Sequence, residues 1–150
     1  MSTDPSNISE QAITRVRKLL QDDPSAALAE ARRCLEQTPD NLELRFLQGV
    51  AHYRSADYEQ AVATLEQVLQ SNDAITDVHF QLALSQASLQ QITPAIASLR
   101  RVISLEPLHR SAWRLLGEML STQGDFEAAS EAQLRHIEAS ASNPQLREAG

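Results

Sequence analysis

Four alanines, Ala27, Ala61, Ala95 and Ala129, stand 34 residues apart along a chain of 150. A fixed period of this size constrains a fold more than any local signal does. Each period must be one structural unit that buries its apolar side against the next. The neighbours keep phase. Pro24, Tyr58, Ile92 and Phe126 lie three residues before the alanines, Ala31, Leu65, Leu99 and Gln133 four after, and Cys34, Val68, Val102 and His136 seven after. Pro39 and Pro107 close the first and third periods, where Asp73 and Ala141 stand in the second and fourth.

Within a period the apolar residues follow two helical patterns separated by a break. In the second, Leu44, Leu47, Val50 and Ala51 share a stripe, Ser55-Ala56-Asp57 interrupts it, and Tyr58, Ala61, Val62, Leu65, Val68 and Leu69 form another at spacings of three and four. That is a helix, a tight turn and an antiparallel helix. Composition agrees: Ala, Leu, Gln and Glu, all good helix formers, make 67 of 150 residues, against 20 for Val, Ile and Thr together. Helices are predicted over 8–21, 24–37, 41–55, 58–71, 75–89, 93–105, 109–122 and 125–140. Asp57 with Gln60, Asp125, Asp23-Pro24 and Thr93-Pro94 are predicted to cap second helices. The repeated alanine lets two helices approach closely, and the small residue expected to face it is Gly49, Ala83 or Gly117. The first unit has Arg15 there, as suits an end unit with one side open to water.

These offsets resemble the tetratricopeptide repeat. The fourth unit carries the resemblance best, with Trp113, Leu116-Gly117, Gly124-Asp125-Phe126 and Ala129. The third supplies Leu82-Ala83, Ala95, Leu99, Val102 and Pro107. The second supplies Gly49, Asp57-Tyr58 and Ala61 but has Arg45 and Gln48 where tryptophan and leucine are usual, and the first keeps Ala27 and Pro39. The resemblance implies an all-α fold, a right-handed superhelical α-solenoid of four antiparallel helix pairs over 8–41, 42–75, 76–109 and 110–143. A disordered tail, 1–7, is expected before them, and 144–150 is expected to be a short helical stub or the start of a truncated fifth unit. The segment from Ala112 to Leu146 also looks like the tetratricopeptide part that precedes the sulfotransferase domain in some bacterial two-part proteins. That implies a second role, as the N-terminal arm of such an enzyme. Gly49, Gly117, Gly124 and Gly150 form no phosphate-cradling cluster, so that catalysis is not expected from these residues.

Charge narrows the partners. With 13 basic and 20 acidic residues the net charge is -7, a surface that repels phosphate backbones and anionic lipid, so neither nucleic acid nor membrane is an expected partner. The lone Cys34 cannot form an internal disulfide. The start, Met1 to Asn7, lacks the basic-then-apolar order of a signal peptide, and a cytoplasmic protein is expected. No enzyme, metal or cofactor is expected. None of His52, His79, His109 and His136 stands at ligand spacing from another, so they read as packing residues, with Cys34 a small buried hydrophobe. Arg32-Arg33 and Arg100-Arg101 read as a solvated outer face.

A right-handed stack would turn positions 2, 5, 9, 12 and 13 of each first helix toward its concave side. These are Glu43, Phe46, Val50, Tyr53 and Arg54, then Asp77, Phe80, Leu84, Ala87 and Ser88, then Ser111, Arg114, Glu118, Ser121 and Thr122. The resemblance implies that a carboxylate clamp would need lysine and asparagine at positions 5 and 9. Phe46, Val50, Phe80 and Leu84 stand there instead. The partner expected is an apolar or amphipathic peptide or helix, held by Phe46, Val50, Phe80 and Leu84 with Tyr53, Arg54, Arg114 and Glu118 as polar edges. Self-association through the C-terminal repeat end is a further expectation.

Overall fold

The protein, seen in a computed structural model that describes residues 4–142, is all-α: every element among those residues is a helix. It divides into two compact units, residues up to Asp73 and residues from Ala74. The first holds α1 (Pro5–Asp22), α2 (Pro24–Gln37), α3 (Leu42–Arg54) and α4 (Tyr58–Ser71). The second holds α5 (Thr76–Ser88), α6 (Ile92–Leu105), α7 (Arg110–Gln123) and α8 (Phe126–Ala141). In each unit successive helices pack on one another, α1 on α2 and α2 on α3, α5 on α6 and α6 on α7. The alternation of helix pairs is thus borne out. The beginning differs, because Asp4 accepts the Ser6 amide at 3.2 Å and starts α1 at Pro5. Residues 5–7, expected in a tail, are helical. Residues 1–3 and the stub expected over 144–150 lie outside the described residues.

The repeated alanines Ala27, Ala61, Ala95 and Ala129 are all buried, as are Leu44, Leu65 and Leu99. Each such leucine removed from water contributes about 1.5–3 kcal/mol. The space left by the missing side chain of Gly49 is filled differently from the expectation. A Cβ there would lie 2.7 Å from Leu65 Cδ2, 2.9 Å from its Cγ and 3.7 Å from Thr64 Cγ2, so Leu65 comes nearest in place of Ala61. At Gly117 a Cβ would meet Ala129 O at 3.6 Å and Ala132 Cβ and Gln133 Cγ at 3.7 Å, all ordinary contacts.

The turn inside three of the four hairpins is one backbone device. Ala56, Gln90 and Gly124, 34 residues apart, all have positive φ, at 61°, 61° and 89°. The following amides reach back to the carbonyls of His52, Gln86 and Leu120 at 2.9, 2.9 and 3.0 Å. This is the left-handed helix stop, in which main-chain bonds satisfy the last carbonyls whatever the side chain.

Helix starts vary more. Asp23, Asn41 and Asp125 each accept an amide three residues on, at 3.1, 3.0 and 3.1 Å. Asp57 and the Thr93-Pro94 pair depart from expectation. The Asp57 carboxylate makes no capping bond and faces His52 Nδ1 at 3.5 Å. α6 begins at Ile92, leaving Pro94 in the first turn, where no amide hydrogen is needed. Thr93 Oγ1 instead accepts from Gln123 Nε2 at 3.3 Å.

A polar contact lies among the buried side chains of the second unit. Ser98 Oγ on α6 donates to Gln86 Oε1 on α5 at 2.8 Å, both side chains being buried. One repeat earlier the same two places hold His52 and Thr64, and one repeat later Leu120 and Ala132, all buried.

Candidate binding surfaces

In the first unit the expected contact residues lie on α3, two turns of which place Phe46 and Tyr53 on one face. Phe46 is half-buried and packs on the core cluster of that unit. Tyr53 is half-buried too, its ring 5.6 Å from that of Tyr58 at the start of α4. Val50, expected to line the binding face, is only 7% exposed and belongs to the core. The reason is angular: among Leu47, Ala51 and the α1 side chains, a small β-branched residue at this place closes the hydrophobic cluster. Arg54 is exposed, yet its guanidinium donates to Leu20 O at 2.9 Å in the last turn of α1. A cation there neutralises the end of the helix dipole. Glu43 is likewise engaged, by Arg17.

In the second unit Phe80 and Leu84 sit one turn apart on α5, both half-buried against the core of that unit. The Phe80 ring lies 4.8 Å from that of His109. His109 was expected to be a packing residue, and it also caps a helix: its Nδ1 accepts the Ala112 amide at 3.1 Å and starts α7. Asn41 does the same job one chemistry apart and two repeats earlier. On α7, Arg114 and Glu118 pair with each other at 2.7 Å, both more than half exposed. Such a pair is worth only about 0.3–0.5 kcal/mol, so either partner is free to exchange it for a ligand. The units therefore bring together Phe46 with Tyr53 and Phe80 with Leu84, and tie Arg54 to α1.

Burial and ion pairing perturb Cys34, Glu30 and His52. Cys34 is buried, and burial together with Glu30, whose carboxylate lies 3.6 Å from Sγ, pushes the thiol up from its ordinary range. Glu30 itself is held low by its bond to the Arg33 guanidinium and by Arg15. These groups border a cleft of about 240 Å3 between α1 and α2, lined by Ala12, Arg15, Arg33 and Cys34, where the thiol stays protonated and is a poor nucleophile. His52 is buried, and burial lowers its affinity for a proton despite the nearby Asp57. His79 is buried, and His136 is half-buried with Nδ1 3.0 Å from Arg110 O. Among the described residues no three His, Cys, Asp or Glu side chains converge as a metal site would require, and no helix is long and apolar enough to cross a membrane.

Known proteins match on these features. A family model described as tetratricopeptide repeat matches residues 80–144. Another, tetratricopeptide-like and described as anaphase-promoting complex, cyclosome, subunit 3, matches residues 10–102. No curated protein matches the sequence significantly. Among solved structures, MamA (residues 41 to the end) from Desulfovibrio magneticus RS-1 superposes with a TM-score of 0.84 at 20% identity, over 90% of this chain and 77% of that one. A MamA structure from AMB-1 gives 0.76 at 20% identity, over 93% and 77%. A further MamA protein gives 0.80 at 17%, over 88% and 73%. At such identities the likeness is one of fold.

Proposed function

Since the chain belongs to the tetratricopeptide repeat family, a class of protein-interaction scaffolds, we propose that it binds an apolar or amphipathic peptide or helix on the faces of its first helices. Phe46 and Tyr53 are the contacts in the first unit, Phe80 and Leu84 those in the second, with Arg114 and Glu118 as exchangeable polar partners. Val50 acts from beneath, fixing the α3 backbone. The observation that carries this reading is the same aromatic at the same repeat position in α3 and α5, half-exposed in both units. A fully buried phenylalanine would be core and a fully exposed one would be costly. One anchored on the core with an open edge is a rigid apolar contact that loses little entropy when a partner arrives. The binding is display without chemistry, on a surface ordered in advance.

Partner capture followed by mass spectrometry identifies the ligand, and variants test the site. Phe46→Glu and Phe80→Glu, singly and together, should weaken capture while far-UV circular dichroism keeps its helical amplitude. Undiminished capture by the double variant would place the contact elsewhere.

A further inference from the structure

The outer face of α8 is the place where the second unit departs from its own repeat. Phe126, Leu134 and Ile137 are 70%, 62% and 61% exposed. At about 100° per residue they fall within an arc of about 80°, and from first to last the stripe runs about 16 Å. Elsewhere the equivalent places are covered or charged. Ile92 and Ile103 on α6 pack on the core that α7 completes, and Leu35 on α2 is buried in the cluster shared with α3. Leu134 stands where the other three repeats have Arg32, Glu66 and Arg100, all exposed. Leu134 leaves most of its surface in water at a place where its counterparts are charged.

Beside the stripe runs a row of acids. Glu127, Glu131 and Glu138 lie within about 40° of one another on the helix, next to Leu134. Glu138 pairs with Arg135 at 3.1 Å, while among the described residues Glu127 and Glu131 have no salt-bridge partner. Residues 143–150 carry one large apolar side chain, Leu146. We propose that this face of α8 docks an amphipathic helix from a partner protein, one that sets leucine-type side chains on Phe126, Leu134 and Ile137 and a flank of lysine or arginine along Glu127 and Glu131. The apolar stripe supplies affinity and the acid row supplies orientation and choice of partner. This surface is separate from the first-helix faces proposed above.

The test uses the full chain and two labelled synthetic helical peptides, alike in their leucine stripe, one with a lysine flank and one with a glutamate flank, read by fluorescence anisotropy. The lysine peptide should bind saturably, more weakly as salt is added, and the glutamate peptide at least about tenfold more weakly. Leu134→Arg, which installs the residue type of Arg32 and Arg100, and Glu131→Lys should each weaken the lysine peptide by about tenfold with circular dichroism and melting midpoint unchanged. Phe46→Glu with Phe80→Glu should bind it like the natural chain. Absent binding, equal binding of both peptides, or indifference to Leu134→Arg overturns the proposal, as does loss of binding in the Phe46/Phe80 variant. A lower melting midpoint in Leu134→Arg would assign the stripe to residues 143–150, and self-association abolished by Leu134→Arg would assign it to a second copy; either result also overturns it.

Discussion

Gly49 and Gly117 occupy one repeat position, and the same substitution should move stability in opposite directions at the two. In both cases alanine gains about 0.8–1.0 kcal/mol of helix propensity over glycine. At Gly117 nothing opposes that gain, since the added methyl meets its neighbours at 3.6–3.7 Å. Gly117→Ala should therefore stabilise by close to the full amount. At Gly49 the methyl would press into Leu65 at 2.7 and 2.9 Å, and Leu65 is 0% exposed, with no solvent side to move toward. Overpacking of this kind costs about 1–3 kcal/mol, so Gly49→Ala should be destabilising by about 1 kcal/mol after the propensity gain. The two variants then differ by about 2 kcal/mol, or about 4–8 °C in melting midpoint. Equilibrium urea unfolding followed by far-UV circular dichroism measures both. Shortening the obstacle with Leu65→Val should recover part of the Gly49→Ala penalty, a coupling of about 0.5 kcal/mol or more. Equal shifts of one sign in the two alanine variants would refute the reasoning, because they would show that Leu65 yields without cost.

Two further outcomes follow from the turns and from the buried imidazole. Gln90→Gly should stabilise by about 0.5–1 kcal/mol, the left-handed conformation costing a side-chain-bearing residue about 1–2 kcal/mol and the freer unfolded glycine returning part of the gain. Gly124→Ala, whose new methyl meets nothing within 4 Å, should lose a similar amount, both being read from urea midpoints. Because burial lowers the proton affinity of His52 in the folded chain, the unfolded chain takes up that proton first as pH falls. The contribution of neutral His52 is present above about pH 6.5 and is lost as the pH drops through the lower folded value. His52→Gln should flatten the dependence of the urea midpoint on pH across that window, and an unchanged slope would mean that other groups set it.

The helix pairs were legible because a 34-residue period of buried alanines and leucines reports which side of each helix faces inward. The same signal is silent about which atom fills which gap. It pointed Gly49 at the alanine of its partner helix, whereas the methyls of Leu65, one turn on, take the space. It left Val50 on the binding face, when a shift of a fraction of a turn puts it in the core. The His109 cap was readable in principle, since Asn41 stands two repeats before it. An imidazole is simply an unusual acceptor there. Arg54 could not be read at all, because its tie to Leu20 O depends on where α1 ends. The stripe on α8 had its signal in the comparison between repeats, a leucine in register with two arginines and a glutamate.

The bond between Ser98 and Gln86 bears on a hazard peculiar to chains built of near-identical pieces. Any second helix could in principle mate with the wrong first helix, since all share the same alanine notch. The hairpins, however, carry different tokens at one shared coordinate: His52 with Thr64, Gln86 with Ser98, Leu120 with Ala132. A mismatched mating of α5 with α8 would seal the Gln86 amide against Ala132 with nothing to bond, at a cost of about 1–3 kcal/mol. Uniform pieces with private passwords assemble in order, and exchanging one hairpin's password for another's should leave each piece sound while scrambling the sequence in which they find their mates.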